Sequence, residues 1–280
     1  MKGDSWVTVP LSVTIDERHG GRWTSLRTRR REWLWTNPDV TMAATRGAAA
    51  PSDPFVDAGG VEECVPTVRG LPDHGDAWSR EWSQDPAAVE LPGVGRLTRT
   101  INTSEEAVEV GYVLAGAPGT PFLHAVHALL DVGPDARVLV SDVSSMVVLD
   151  PQPHVLPWPS GLDRLGPDDG TAVCALLPGC REVVVVNGDH ALSLTWTAPG
   201  HEEWCSLLLW RNLRGWPADA PYRSIGIEPM IGRAADLSSA DPDDAARIGP
   251  DGQCNWQLRV SALERSSANP CGLNGGGPTA

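Results

Sequence analysis

The sequence predicts an all-β protein, and three observations carry that expectation. Short runs in which apolar and β-branched residues alternate with polar ones recur at close spacing along the 280 residues. Clusters of Pro, Gly, Asp and Asn separate these runs and supply turns. No segment carries apolar residues at the three-and-four spacing of a long amphipathic helix.

Successive side chains of a strand point to opposite faces, so alternation marks a strand with one dry face and one wet one. On this basis strands are expected at 5–15 (SWVTVPLSVTI), 22–28 (RWTSLRT), 95–101 (GRLTRTI), 107–116 (AVEVGYVLAG) and 136–145 (ARVLVSDVSS). NTSEEA at 102–107 joins two of them, and DPQPHVLPWPSG at 150–161 and LGPDDG at 165–170 are loops. The pattern resumes at 182–188, 191–198, 204–213, 224–232 and 254–263. AADLSSADPDDAAR at 234–247 predicts one short helix, with Ser or Asp to cap it. The 29 Gly and 25 Pro form no linker between two unlike halves, so 1–265 is expected to be a single domain. The low-complexity stretch 266–280 is expected to be a flexible tail.

A chain that is 41% hydrophobic and 21% charged can bury a large core and is not disordered. Its 22 basic and 36 acidic side chains give a net charge of −14, which repels phosphate backbones and anionic headgroups. Nucleic acid and membrane surfaces are therefore not expected partners, and the chain is expected as a monomer or a homodimer. The apolar runs fall short of the roughly 20 residues of a membrane span. The first residues, with one Lys and an early Asp, lack the apolar core of a signal peptide, so a cytoplasmic protein is expected. Six cysteines without a CxxC pair read as mostly reduced thiols, although Cys174 and Cys180 flank a Pro-Gly turn that can bring them together.

Twelve Trp against two Tyr and two Phe point to carbohydrate, because an indole face packs well on the C–H face of a pyranose. Trp78, Trp82, Trp158, Trp204, Trp210 and Trp216 are the candidates for such a cleft, although core packing is the commoner use of any single Trp. The segment 64–82 gathers Arg69, Asp73, His74, Asp76 and Arg80 beside two tryptophans on a loop, where sites commonly sit. His124 and His127 are three apart in a strand-like run and so face opposite ways. One can enter a cleft, and the two cannot share a metal ion. Glu228 interrupts the apolar run SIGIEPMIG, and a carboxylate there needs a partner in a cleft or water at a strand end. No metal motif, GxSxG elbow, P-loop or GxGxxG turn is present, so no metal or cofactor is expected from the motifs.

With those residues in place, the chain resembles the aldose 1-epimerase (galactose mutarotase-like) family. The likeness runs through GGRWTSLRTRRREWLWTNPD (20–39), GGVEECVPTV (59–68), LPDHGDAWSREW (71–82), PFLHAVHALLDV (121–132) and GIEPMIG (226–232). It implies a β-supersandwich of large antiparallel sheets with a sugar cleft on one of them. It also implies cofactor-free interconversion of the α and β anomers of an aldose or related sugar, free or phosphorylated. In this resemblance Glu228 takes the proton of the anomeric hydroxyl, His127 protonates the ring oxygen and His74 hydrogen-bonds the same region. Arg69, Asp73, Trp78, Arg80 and Trp82 would position the sugar, and Arg69, Arg80 or Arg211 could meet a phosphate. An epimerase or lyase acting at another carbon of a sugar-derived intermediate, and a non-catalytic sugar-binding protein, remain the alternatives on the same fold.

Overall fold

In the computed structural model, which describes residues 5–266, two large antiparallel sheets share one hydrophobic core. The expected tail, apart from Ser266, lies outside the described residues. The first sheet has nine strands in the spatial order His154–Pro157, Ser145–Val148, Ala172–Pro178, Cys205–Trp216, Tyr222–Ile231, His124–Leu130, Val61–Cys64, Arg22–Arg27 and Ser12–Asp16. The second has eight strands, ordered Arg137–Val140, Glu182–Asn187, His190–Thr197, Gln253–Arg265, Val108–Gly116, Gly95–Thr103 and Ala87–Leu91, with Trp6–Val9 added against Gln253–Arg265.

Alternation does the packing. Leu97, Tyr112, Trp256 and Leu258 face inward from the eight-stranded sheet and meet Val126, Leu207, Leu209 and Ile227 of the other. The central strands His124–Leu130 and Tyr222–Ile231 are buried on both faces, which is why they read as nearly continuous apolar runs. On the far face of the nine-stranded sheet, Cys64, Leu176, Leu208 and Met230 form a second apolar cluster with Ala245. Part of that face is left open, and the cleft lies there.

Most expected elements form, with four differences. The segment 150–161, expected as a loop, carries the edge strand His154–Pro157, which pairs with Ser145–Val148. The run 5–15 is two strands, Trp6–Val9 and Ser12–Asp16, which belong to different sheets. Pro10 sits between them and lacks the N–H that a continuous ladder requires. The run 136–145 shortens to Arg137–Val140. The segment 234–247 contains no helix: Val68 and Arg69 donate their backbone N–H to the Ala235 carbonyl, and the Leu237 N–H goes to Thr67 Oγ1. Asp236 accepts from the Ser238 N–H, so local Asx turns replace the helical ladder.

The one α-helix among the described residues is instead Thr41–Ala48. Asp39 Oδ1 accepts from the Thr41 N–H and hydroxyl, and an Ala-rich turn follows. At 8 residues it is too short to show a stripe, which is why periodicity missed it. Among the described residues Cys64, Cys174, Cys180, Cys205 and Cys254 are free thiols, so Cys174 and Cys180 form no bridge. No described helix is long and apolar enough to cross a membrane.

Candidate active site

Strand register builds the cleft floor. Leu208 pairs with Glu228, and His127 pairs with Glu62. The register that sets Gly226 against Leu129 and Met230 against Ala125 brings Glu228 opposite His127. One row across four strands thus reads Leu208, Glu228, His127, Glu62, all on the same face. His127 Nδ1 lies 3.0 Å from Glu228 Oε1, while the other carboxylate oxygen, Oε2, is buried without a protein partner. Gly226, two residues before Glu228, makes room for it. A Cβ there would come within 2.5 Å of Glu228 Oε1 and 2.9 Å of the Trp210 Cβ.

Helix Thr41–Ala48 supports this row from the side. Its buried Arg46 donates to both oxygens of Glu62, at 2.7 and 2.9 Å, and to the His19 and Trp78 carbonyls. Glu62 is thereby neutralised and has no free oxygen for chemistry. Burial on its own lowers the pKa of His127, but the Glu228 carboxylate beside it, with Asp57 and Glu62 further off, more than reverses this and holds the imidazole at about 9.

The turn Leu71–Gly75 supplies the second histidine. His74 has φ +58°, a left-handed conformation rare outside Gly and Asn, and the turn is held by His74 N–H to Val68 O and Gly75 N–H to Pro72 O. Gly75 is required next: at φ +71° its absent Cβ would lie 2.2 Å from the Val65 carbonyl oxygen. Backbone strain of this kind persists where the surroundings over-determine it. Here Phe55 stacks on the imidazole with centroids 3.6 Å apart, and Asp73 Oδ1 lies 3.0 Å from Nδ1. The His74 and His127 rings meet edge to face at 5.1 Å, so both imidazoles and Glu228 border one cavity of about 430 Å³.

Trp210 and Trp216 form an aromatic wall of that cavity, their rings 6.2 Å apart. Trp210 Nε1 donates to Ser224 Oγ, which fixes the indole plane. Trp216 is about half exposed and continues edge to face onto Tyr222, whose hydroxyl donates to Asp57 at 2.7 Å. Among the described residues no group of three or more His, Cys, Asp or Glu side chains is placed to hold a metal ion.

No protein-family model matches the sequence, and no curated protein matches it either. Solved structures do match. A provisionally named aldose 1-epimerase from Escherichia coli K12 superposes with TM-score 0.68 over 93% of this chain and 99% of its own, at 16% identity. A provisionally named mutarotase from Salmonella typhimurium gives 0.61 over 95% and 92%, at 14% identity. The fold is that of the galactose mutarotase-like proteins. A galactose mutarotase-like protein from Lactobacillus casei agrees, at TM-score 0.57 over 92% of this chain and all of its own, with 14% identity.

Within this mutarotase-like fold the sequence candidates divide. His74, His127, Glu228, Arg69 and Asp73 line the cleft together. Trp78, Trp82 and Arg80 do not, which corrects their placement. Trp78 and Trp82 are buried; Trp78 packs its ring against Phe55, and Trp82 donates Nε1–H to the Ala77 carbonyl under the Arg99 guanidinium. Arg80 pairs with Asp76 and borders a separate depression with Glu90 and Arg96. Of the other tryptophan candidates, Trp158 borders a different depression beside Val138, and Trp204 stacks on His201. Phe55, Asp57 and Asp150 line the cleft and were not singled out from sequence. They sit in loops of ordinary composition, and only tertiary packing brings them in.

Proposed function

We propose that this cleft is the active site of an aldose 1-epimerase-like isomerase that interconverts the anomers of a cyclic sugar by acid/base ring opening. The observation that carries this reading is the His127–Glu228 pair on the cleft floor, a protonated imidazole beside a carboxylate with one oxygen unpartnered. At neutral pH the pair presents an acid and a base within one sugar ring's reach. The names of the structural neighbours and the sequence motifs support the same chemistry.

In this mechanism Glu228 Oε2 takes the proton of the anomeric hydroxyl, since Oε1 already faces His127. His127, with Nδ1 turned to Glu228, gives its Nε2 proton to the ring oxygen as the C1–O5 bond breaks to the aldehyde. Rotation about C1–C2 presents the other carbonyl face, and closure returns both protons. His74 hydrogen-bonds the ring region, held by Phe55 and Asp73, and Trp210 and Trp216 pack on the sugar's C–H face. Asp73 contacts a hydroxyl at the rim, beside Arg69, whose fork is held by Asp150.

Saturation-transfer NMR of α-to-β exchange over free hexoses and pentoses, with Glu228→Gln as control, tests the proposal. Acceleration of at least one sugar that disappears in the variant is expected. Binding of the sugars with no acceleration would sink it in favour of a non-catalytic sugar-binding protein, and deuterium entering a carbon-bound position would sink it in favour of chemistry at another carbon.

A further inference from the structure

The net charge of a cleft selects the charge of what enters it, and this cleft is acidic. Four carboxylates line it, Asp57, Asp73, Asp150 and Glu228, against two cations, Arg69 and the protonated His127, and no lysine, so the acidic groups still outnumber the basic ones. A phosphate ester needs a free guanidinium or ammonium, or a cluster of unoccupied N–H donors. The three arginines that the sequence offered for this purpose are all otherwise engaged. Arg80 lies outside the cleft in an ion pair with Asp76. Arg211 neighbours Trp210 on its strand and so projects to the opposite face, where it reaches Thr171 Oγ1 at 3.3 Å and Asp169 at 3.8 Å. Arg69 does reach the cleft, but both terminal nitrogens are committed to the two oxygens of Asp150, at 3.1 and 3.0 Å.

We infer that the site takes uncharged cyclic sugars and turns away their phosphate esters, and that Asp150 enforces this by occupying the fork of Arg69. The inference rests on the sugar-isomerase reading of the cleft and narrows its substrate class. Two physical effects act together. A phosphate dianion entering the cleft meets like charge from Asp57, Asp73 and Asp150, and like-charge juxtaposition at a binding surface is unfavourable. It must also displace Asp150 to reach Arg69, exchanging one bidentate carboxylate bond for a phosphate bond of the same kind. An uncharged sugar meets neither obstacle. Its hydroxyls can donate to the carboxylate oxygens, and its C–H face packs on Trp210 and Trp216. The Arg69–Asp150 pair is about half exposed on both sides, so breaking it should leave the fold standing.

The experiment compares glucose and galactose with glucose 6-phosphate and galactose 6-phosphate on the wild type, on Asp150→Ala and on the double variant Asp150→Ala/Arg69→Ala. Anomer exchange and binding by titration calorimetry are both read, and thermal melting checks that each variant folds. For the wild type the free sugars should be favoured in kcat/KM by at least about tenfold. Asp150→Ala should free Arg69 and reduce this preference to within about threefold through a lower KM for the esters, and the double variant should restore the preference. Esters favoured by the wild type, or a preference unmoved in Asp150→Ala, would overturn the inference. Calorimetry separates this from the catalytic proposal. Free sugars that bind without exchange, while esters bind weakly, would refute the isomerase and uphold the charge selection. Binding of neither class would overturn both.

Discussion

One strand, His124–Leu130, carries two histidines on opposite faces, and each meets a glutamate from a neighbouring strand in the same sheet. On the inner face His124 Nε2 lies 2.9 Å from Glu63 Oε2; on the outer face His127 Nδ1 lies 3.0 Å from Glu228 Oε1. The surroundings make them different objects. Trp256 Nε1 can only donate, and it donates to His124 Nδ1 at 3.1 Å, so Nδ1 is the accepting nitrogen and Nε2 turns to Glu63. The other Glu63 oxygen accepts from Arg99 at 2.7 Å and Tyr112 at 3.0 Å. Burial alone would raise the Glu63 pKa, but the His124 hydrogen bond and the Arg99 charge outweigh it and hold the carboxylate ionised. Every Glu63 oxygen is occupied. At the cleft, by contrast, Glu228 Oε2 has no protein partner and His127 carries the proton. The same pair of residue types is a structural tie when its lone pairs are filled and an acid and base when one is left open.

That contrast can be broken by mutation, and the largest effect belongs to the cleft. Glu228→Gln should cut anomer exchange by about two to four orders of magnitude per folded molecule, and should also lose the part of the stability that the Glu228 charge gives through His127. A variant of full activity would remove Glu228 from the chemistry. On the sealed side Glu63→Gln leaves Arg99 buried without its counter-charge and should cost about 3–5 kcal/mol in urea unfolding, while turnover per folded molecule is kept. Loss of turnover in a stable Glu63→Gln protein would contradict its purely structural part.

The pH dependence separates the two histidines further. The folded-state pKa of His127 is raised from 6.5 to about 9, so its contribution to stability is fully present below pH 6.5 and is lost as pH rises through 9. Between pH 6.5 and 10 the wild type should lose on the order of 2–3 kcal/mol that His127→Asn does not lose, measured by denaturation at each pH. Exchange activity should fall over the same alkaline limb, because the acid is consumed. An alkaline loss that persists in His127→Asn would place its origin elsewhere. The smallest effect is expected at Gly226→Ala. The added Cβ collides with the Glu228 carboxylate and Trp210, costing about 1–3 kcal/mol and displacing the base, so exchange should drop by more than the stability change explains. Unchanged kinetics with an unchanged melting temperature would show that Glu228 does not depend on that gap.

The two faces of that strand also show how far local sequence reaches. The spacing of His124 and His127 is enough to put them on opposite faces, since a strand repeats every two residues, and the isolated Glu228 in an apolar run is enough to mark a carboxylate that needs a partner. Which face is wet is another matter. Both faces of His124–Leu130 are buried, so its pattern carries no polarity to read, and the resemblance in GIEPMIG and PFLHAVHALLDV rather than periodicity pointed to His127. Trp78 and Trp82 mislead for a related reason: Trp serves both a sugar cleft and a core, and only the packing of Phe55 and Arg99 on these two shows them to be interior.

By itself, then, the chain determined most of its strands and turns and the chemical types available at the site, because alternation, turn residues and isolated charges act over a few neighbours. The tertiary structure alone decided that Pro10 parts two strands into different sheets, that 234–247 folds as turns on residues 67–69 instead of as a helix, and that Arg69 is held by Asp150. It also decided that Glu63 is closed and Glu228 open. Each of these depends on partners brought from tens of residues away by sheet register, and a contact of that kind leaves no periodic trace in the sequence of either partner.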